Sequence, residues 1–277
     1  AFTREWCYGY GNNVVIHPEN LGRFLCDEGI MLRRRKEDVL PSLPPKRRLV
    51  NTVDSDEDVF KKYMQNTISK LAVWNTDLSS AERTLLAFEI DKGERQATGI
   101  AKAPYVAQFV RMLLEGGEKV LLFAHHHDVF DLYKSALKTE KPVFITGRES
   151  SEQKSKAQES FMSGKTNLCC ISLRAAAGLN LQKATCVVFG ELDWSPAVHS
   201  QAEDRAHRIG QRDSLLCYYL VSQKGSDSRM QDALGLKVSQ FKALMLDPLA
   251  SIAQEESSAQ SAIQHANELF EQYIHKE

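Results

Sequence analysis

Short apolar runs, separated by polar stretches with helical spacing, dominate the chain from residue 119 onward. The runs have the length of strands and are apolar on both faces, which is typical of strands covered on both sides of a sheet. Their alternation with helices predicts an α/β fold with a central parallel sheet and helices on both faces. The predicted strands are Val120–Ala124, Val143–Thr146, Leu168–Leu173, Cys186–Phe189 and Leu215–Val221.

Residues at helical spacing predict helices before, between and after these strands. The pattern Ser55-x-x-Asp58 resembles a capping box that opens the first helix, and Ser150-x-x-Gln153 opens a later helix that ends near Gly164. The apolar faces are Phe60, Met64, Thr67, Ile68 and Leu71; Val106, Phe109, Val110 and Leu113, ended by Gly116 and Gly117; Val129, Leu132, Tyr133, Ala136 and Leu137; and, after Asp247, Ala259, Ile263, Ala266, Phe270 and Tyr273. For the last helix, packing on the domain surface is the favoured interpretation and docking of a partner is the alternative.

The first 50 residues predict an irregular segment that becomes strongly basic. Its prolines, Pro41, Pro44 and Pro45, exclude a continuous helix because proline removes a backbone donor and clashes with the preceding turn. We interpret the segment as a linker. Its cations are Arg33, Arg34, Arg35, Lys36, Lys46, Arg47 and Arg48. The predicted division of the chain is a junction and basic linker over 1–50, a helical insertion over 51–118, the α/β lobe over 119–246 and a C-terminal helix over 247–277.

The composition is that of an ordinary globular protein. Of the 277 residues, 43% are hydrophobic and 26% are charged, which excludes a disordered chain, a collagen and a coiled coil. The length suits one large domain or two small ones. No apolar run approaches the roughly 18 residues of a membrane-spanning helix. The net charge of −1 gives no global attraction to nucleic acid, so such binding requires a local patch.

Cysteine usage and the first residues bear on the cellular compartment. The six cysteines form no C-x-x-C pair, and four of them lie in apolar, strand-like runs. This favours reduced cysteines packed as small hydrophobic residues in an intracellular protein. The sequence starts at Ala1 without an initiator Met or the apolar segment of a signal peptide. We therefore expect a piece of a longer chain with no visible export signal.

Ligands of parallel sheets bind beyond the carboxyl ends of the strands, and three segments are candidates for that position: 172–180, 191–196 and 201–211. On a helix, Gln201, Arg205 and Arg208 form one stripe, and Gly210 can end that helix. Two guanidinium groups displayed there suit a polyphosphate, because arginine offers forked donors and a permanent charge. The alternative is a solvated helix face with an Asp204–Arg208 ion pair.

The third segment carries the most specific signal. Residues 201–211, with the sequence QAEDRAHRIGQ, resemble motif VI (Q-A-x-D-R-x-x-R-x-G-Q) of the Swi/Snf-type ATPases in helicase superfamily 2. Phe123-Ala124-His125-His126 and Glu191-Leu192-x-Trp194 resemble the annealing-helicase branch. Other segments resemble family motifs in the expected order: 32–40 and 43–46 the junction between two RecA-like lobes, 119–126 motif IV, 172–181 motif V, and 194–196 the W-N-P motif.

The resemblance implies that this chain is the second RecA-like lobe of such an ATPase, with helical additions on its N- and C-terminal sides. ATP and Mg²⁺ are then held mainly by an N-terminal lobe of the same polypeptide. Arg205 and Arg208 are carried over as arginine fingers that stabilise the γ-phosphate in the transition state, and Gln201 helps to orient them. Gly178 lets the motif V backbone approach closely, with Asn180 as a polar contact beside it.

The resemblance also implies a grip on double-stranded DNA through phosphate contacts that are independent of sequence and sensitive to salt. The candidate contacts are His126, within the run 125–127, Thr146, Arg148, Ser172 and Arg174. Zinc is a minor alternative for the three adjacent histidines, and we assign no metal site to this chain. The basic linker either contacts DNA, remains solvated or ties the two lobes together. The oligomeric state is left open.

Two segments imitate motifs of the missing lobe. Gly164-Lys165-Thr166 lacks the first glycine of a P-loop, because residue 159 is glutamate, and Cys26-Asp27-Glu28-Gly29 lacks a preceding apolar strand. We therefore expect the chain alone not to hydrolyse ATP. It departs from the family pattern at motif V, which is one residue shorter, and at Ser195, which replaces asparagine. The parent is expected to be a DNA-dependent ATPase of the nucleus, or of the nucleoid in a prokaryote. The alternatives are a non-catalytic DNA-binding or interaction module and an unrelated α/β nucleotide-binding domain.

Overall fold

A computed structural model describes residues 2–8, 14–15, 18–30, 40, 42–211, 213–234 and 258–274. The basic residues 33–36 and most of the junction-like segment 32–40 lie outside the described residues. The helices are α1 Phe2–Trp6, α2 Pro18–Asp27, α3 Glu57–Leu71, α4 Ser80–Glu115, α5 His127–Ala136, α6 Ser151–Ser163, α7 Pro196–Glu203, α8 Asp227–Ala233 and α9 Ser258–Tyr273. The strands are β1 Cys7–Tyr8, β2 Val14–Val15, β3 Lys46–Thr52, β4 Val120–Ala124, β5 Val143–Ile145, β6 Leu168–Ser172, β7 Cys186–Phe189 and β8 Leu215–Val221.

Six strands form one parallel sheet in the order β3-β8-β7-β4-β6-β5. The α/β prediction is confirmed, and the five predicted strands occupy β4 to β8. Strands β4, β6 and β7 are buried along their whole length, because helices cover both faces of the sheet. The order places β4 and β7 in the middle of the sheet and β3 and β5 at its edges. The short strands β1 and β2 pair with each other in antiparallel fashion.

The edge strand β3 corrects the prediction of a linker for residues 46–48. It pairs in parallel with β8, with Lys46 opposite Leu215 and Arg48 opposite Cys217. Lys46 and Arg48 are half-buried while Arg47 between them is exposed. The other strands were predicted from continuous apolar runs. Strand β3 lies at an edge and places cations in the interior, so it has no such run, and the sequence pattern did not predict it.

The sheet separates two apolar layers. On one face, Phe123 of β4 and Phe189 of β7 pack with α6 and α7, the latter through Ala202. On the other face, Leu122 of β4 packs against α4 and α5, the latter through Tyr133. Burial of alternate residues of one strand into two layers is what a doubly covered parallel sheet requires.

The long helix α4 extends the second predicted helix in the N-terminal direction. A capping box between Ser79 and Glu82 opens α4, and Pro104 lies inside it. The predicted end is confirmed, because Gly116 is the C-cap and Gly117 follows with φ of +85°. The predicted cap of α3 is off by one residue, since Asp56 rather than Ser55 accepts the backbone N–H groups of the first turn.

The C-terminal helix α9 packs on helices rather than on the sheet. Phe270 and Leu269 of α9 share an apolar cluster with Leu71 and Ile90, which lie on α3 and α4. The buried Trp74 belongs to the same cluster and donates an N–H group to the side chain of Asn267 at 2.8 Å. The favoured interpretation of this helix, packing on the domain surface, therefore holds for the face that bears Phe270.

The capping box predicted for α6 is confirmed. Ser150 and Gln153 cap its start, and Gly164 ends it in the left-handed conformation with φ of +83°. The segment Gly164-Lys165-Thr166 thus closes a helix before β6, whereas a P-loop follows a strand and precedes a helix. Within the part of the chain that the structure describes, no helix is both long and apolar enough to cross a membrane.

Candidate functional site

The loop after β4 is held by one carboxylate from the loop after β7. Oε2 of Glu191 accepts hydrogen bonds from the backbone N–H groups of His125 at 2.7 Å and His126 at 2.9 Å. Oε1 of Glu191 lies 2.7 Å from Nδ1 of His126. Burial alone would raise the pKa of Glu191, but these hydrogen bonds and the His126 charge lower it below its usual value. The two strand ends are therefore joined by a charged, fully bonded group.

This contact determines where the histidines lie. The imidazole of His126, predicted to contact DNA, is buried against Glu191 rather than displayed at the surface. His125 is half-buried, and burial together with the nearby Arg95 charge lowers its pKa to about 4. His125 is therefore neutral at physiological pH. His127 is exposed and is the first residue of α5.

The loop after β5 contains Thr146 and Arg148, and both bond to carboxylates of this chain. Glu149 accepts hydrogen bonds from the N–H groups of Thr146 at 2.6 Å and Gly147 at 3.1 Å, and from the Thr146 hydroxyl at 3.0 Å. The Arg148 guanidinium lies 2.8 Å from Asp131. A DNA phosphate at this loop would compete with both carboxylates.

The motif V loop follows β6. Ser172 is buried at the end of the strand, whereas Arg174, Gly178 and Asn180 are exposed. Gly178 has φ of +79°, a conformation that residues with a Cβ rarely adopt. The described structure thus presents one cation, one unhindered stretch of backbone and one amide side chain along this loop.

The segment 201–211 corrects the prediction of a continuous helical stripe. Helix α7 ends at Glu203, and Arg205 and Arg208 lie in the turns that follow. Arg205 donates from Nε to the Gln201 carbonyl at 3.1 Å, and Arg208 donates from Nε to the Asp204 carbonyl at 2.9 Å. Within the described residues, the Nη groups of these two arginines have no hydrogen-bond partner. Gly210 ends the segment with φ of +99°.

This segment crosses one face of the sheet. That position corrects the prediction that it lies at the carboxyl edge. The backbone N–H of Leu181 donates to the Arg205 carbonyl at 2.8 Å, which joins motif V to motif VI. The side chain of Gln211 donates to the carbonyl of Ala184, just before the start of β7. Gln201, which was expected to orient the arginines, is exposed and contacts Arg205 through its backbone carbonyl.

Glu203 is the residue of this region whose role sequence reasoning missed. It is buried, and its carboxylate accepts hydrogen bonds from Lys46 at 2.7 Å, from Arg48 at 2.5 Å and from the hydroxyl of Tyr219 at 2.8 Å. The carboxylate of Asp204, which in the alternative interpretation pairs with Arg208, lies 3.6 Å from Nζ of Lys46. The signal in the sequence was the alternation of Lys46 and Arg48, which places both cations on one face of a strand.

Comparisons with known proteins identify the family of this chain. A family model described as the helicase conserved C-terminal domain matches residues 102–210. The Xenopus tropicalis protein named SWI/SNF-related matrix-associated actin-dependent regulator of chromatin subfamily A-like protein 1 is 35% identical over 250 residues, which cover 86% of this chain and 25% of that protein. The human DNA annealing helicase and endonuclease ZRANB3 is 34% identical over 239 residues, 84% of this chain and 21% of that protein. This chain belongs to the Swi/Snf family of helicase superfamily 2. It spans about a quarter or less of the length of these relatives.

Solved structures place the Swi/Snf chain in the same fold. The C-terminal part of the Fun30 ATPase domain aligns with a TM-score of 0.61 and 14% identity, covering 85% of this chain and 100% of that one. The Sulfolobus solfataricus SWI2/SNF2 ATPase core in complex with dsDNA aligns with a TM-score of 0.61 and 18% identity, covering 92% and 56%. The chain therefore has the fold of the RecA-like C-terminal lobe.

The chemistry of this Swi/Snf lobe suits a phosphate ligand better than a metal ion. The unpaired Nη groups of Arg205 and Arg208 are donors of the kind that bind phosphate oxygens. Among the residues that the structure describes, no group of three His, Cys, Asp or Glu side chains is arranged to hold a metal ion.

Proposed function

We propose that this chain is the C-terminal motor lobe of a DNA-dependent ATPase that translocates on double-stranded DNA. In this proposal an N-terminal RecA-like lobe of the same polypeptide holds ATP and Mg²⁺, and this lobe supplies arginine fingers. In this proposal the parent protein acts on chromatin or on branched DNA in the nucleus; the relatives are named as a regulator of chromatin and as a DNA annealing helicase. The chain alone is expected to be inactive.

The arrangement of Arg205 and Arg208 is the observation that carries the proposal. Each arginine is anchored through Nε to a carbonyl four residues earlier, and this leaves its Nη groups for a ligand. The main chain between them is also bonded to motif V through the Leu181–Arg205 contact. Anchored arginines with available donors are suited to charge that develops on a γ-phosphate, because they need little reorganisation.

The proposed cycle assigns each part of the chain a physical role. Bound ATP supplies the γ-phosphoryl group and Mg²⁺ neutralises its oxygens. Closure of the lobes brings Arg205 and Arg208 to that group, and opening withdraws them. Gly178 and Asn180 accompany the movement, because their loop is joined to Arg205 through Leu181.

The proposed DNA grip rests most on the exposed residues of motif V. Arg174 is displayed beyond β6, and the backbone around Gly178 is open to a phosphate. Thr146 and Arg148 take part when DNA displaces Glu149 and Asp131, their present partners. The side chains of His126 and Ser172 are buried and the His126 N–H donates to Glu191, so in this proposal these residues shape the two loops rather than contact a phosphate.

The test is ATP turnover with and without duplex DNA, measured on the full-length protein that contains this chain. Arg205→Ala and Arg208→Ala are compared with Arg83→Ala, a cation that stacks on Trp74 in the helical region. We expect DNA-stimulated turnover that falls at least 10³-fold in both finger variants, with nucleotide binding retained, and that is unchanged in Arg83→Ala. DNA binding without any turnover in the wild-type protein would favour a non-catalytic module instead. Wild-type turnover in both finger variants would refute the arginine assignment.

A further inference from the structure

Three donors from two strands converge on the carboxylate of Glu203. Arg48 of β3 bonds to both oxygens, from Nε to Oε1 and from Nη2 to Oε2, each at 2.5 Å. Lys46 bonds to Oε2 at 2.7 Å and Tyr219 of β8 to Oε1 at 2.8 Å. The Glu203 side chain has no exposed surface, and those of Lys46 and Arg48 are only 16% and 9% exposed. A buried carboxylate with this complete a set of donors has one strongly preferred position.

Glu203 is also the last residue of α7, two positions before Arg205. Further contacts connect the same region to the chain that enters β3. Nε2 of His207 lies 2.7 Å from the Pro44 carbonyl, and Arg48 reaches the hydroxyl of Ser200 at 3.3 Å. The residues on both sides of Arg205 are therefore tied to residues 44–48, which lie about 155 positions away in sequence.

We infer that Glu203 is a positioning residue through which Lys46 and Arg48 set the place of Arg205 and Arg208 relative to the nucleotide. The inference rests on the proposed function, because it assumes that the two arginines act on ATP. In this inference residues 44–48, which lead into the lobe, support catalysis by positioning the arginines. None of them needs to touch the nucleotide. A movement of β3 is transmitted to the arginines through a bidentate ion pair, which is geometrically more restrictive than a contact between point charges.

The physical basis is the cost of a misplaced buried charge. If Glu203 becomes an amide, its NH₂ group meets Lys46 or Arg48, and the two half-buried cations lose the carboxylate that they share. The cations then move apart, and the end of α7 moves with them. A displacement of about 1 Å at a group that acts in the transition state is sufficient to lower turnover 10²-fold.

The same lobe offers a matched control for the loss of a buried carboxylate. Asp227 of α8 bonds to Lys102 of α4 at 2.6 Å, and both residues are buried. In the described structure this pair has no hydrogen bond or ion pair with residues 200–211. Asp227→Asn therefore destabilises the lobe without moving the arginines.

The experiment measures kcat, KM for ATP and thermal unfolding of the full-length protein on saturating duplex DNA. The variants are Glu203→Gln, Arg48→Lys, Asp227→Asn and Arg205→Ala, with the double variant Glu203→Gln/Arg205→Ala. We expect kcat to fall 10- to 100-fold in Glu203→Gln and less in Arg48→Lys, with KM within threefold of the wild type. Asp227→Asn retains the wild-type kcat below its unfolding temperature. In the double variant, Glu203→Gln lowers kcat by a smaller factor than it does in the wild type, because the part of its effect that acts through Arg205 is already lost.

The outcomes separate this inference from the proposed function. If Arg205→Ala abolishes turnover while folded Glu203→Gln retains the wild-type kcat, the positioning role is refuted and the arginine fingers stand. If Arg205→Ala leaves kcat unchanged, the arginine fingers themselves are refuted. If Glu203→Gln does not fold, Arg48→Lys decides: wild-type kcat in that variant overturns the inference. The inference is also overturned if the fold losses in kcat of the two single variants multiply fully in the double variant.

Discussion

Gly99 on α4 and Glu191 in the loop after β7 are in such close contact that a methyl group at residue 99 would lie 2.8 Å from Cδ of Glu191. The absence of a side chain at Gly99 lets the carboxylate pass the helix and reach the backbone of His125 and His126. A helical glycine, usually a weak point, is here the condition for joining the ends of β4 and β7.

Replacement of Gly99 by alanine is expected to destabilise the chain. Alanine favours the helix by about 1 kcal/mol, but the displaced carboxylate loses its hydrogen bonds to His125 and His126 and overpacks the site, at a cost of about 2–4 kcal/mol. We expect a net loss of about 1–3 kcal/mol in the free energy of unfolding, measured with urea. Lys92→Ala, an exposed change on the same helix, serves as the control. A Gly99→Ala variant more stable than the wild type would contradict the role of Gly99.

His125 is expected to make the stability of the chain sensitive to mild acid. Its pKa is lowered from 6.5 to about 4 by burial and by the Arg95 charge, so the unfolded chain binds a proton that the folded chain rejects. His125 therefore costs no stability above about pH 6.5, and the free energy of unfolding decreases as the pH falls from there towards 4. The loss is about 1–3 kcal/mol, with the upper end set by 1.36 kcal/mol per pKa unit. The free energy of unfolding of His125→Gln, measured with urea in the same way, should decline less between pH 7 and pH 4.5 than that of the wild type. Parallel declines would show that another group is responsible.

Arg174 is expected to contribute one phosphate contact. Removal of one such contact weakens DNA binding uniformly across sequences and reduces the salt dependence of the logarithm of affinity by about 0.9. We therefore expect Arg174→Ala to bind several unrelated duplexes more weakly by a similar factor and with a shallower salt slope, as measured by fluorescence anisotropy on the full-length protein. Arg83→Ala, in the helical region, should keep the wild-type slope. An unchanged slope in Arg174→Ala would remove this residue from the DNA surface.

The C-terminal helix is expected to be essential for the stability of α3 and the first half of α4. Phe270 is 7% exposed within the cluster that contains Leu71 and Trp74. Deletion of a buried phenylalanine side chain costs about 3–5 kcal/mol. Phe270→Ala should lower the free energy of unfolding by about that amount, whereas the exposed change Gln272→Ala should leave it within about 0.5 kcal/mol. Equal stability of the two variants would mean that the helix does not pack as described.

The sequence predicted what depends on local pattern and missed what depends on distant partners. The five buried strands were identifiable because both of their faces are apolar, and the cap of α6 because Ser150 and Gln153 are only three residues apart. Strand β3 was missed because its cations bond to Glu203, a partner whose position the sequence does not reveal. The end of α7 was missed for a related reason, since after Glu203 the Arg205 carbonyl accepts from the Leu181 N–H and the His207 side chain contacts the Pro44 carbonyl, both distant in sequence.

The candidate site shows the same division. The strand ends that carry His126, Thr146 and Ser172 follow from the alternation of strands and helices. The direction of the His126 side chain does not, because it depends on Glu191, which lies 65 positions away in sequence. Motif resemblance selected Arg205 and Arg208, and only the fold relates them to the segment that enters the lobe.

The position of β3 has a consequence for biosynthesis. A ribosome makes Arg48 155 residues before Glu203, and β8, the strand to which β3 pairs, is made later still. At about 5–20 residues per second, β3 waits roughly ten to thirty seconds for its neighbour. An apolar strand left unpaired for that time would invite association with other nascent chains, whereas lysine and arginine discourage it. The cations that later bind Glu203 are therefore expected also to keep the nascent chain from aggregating.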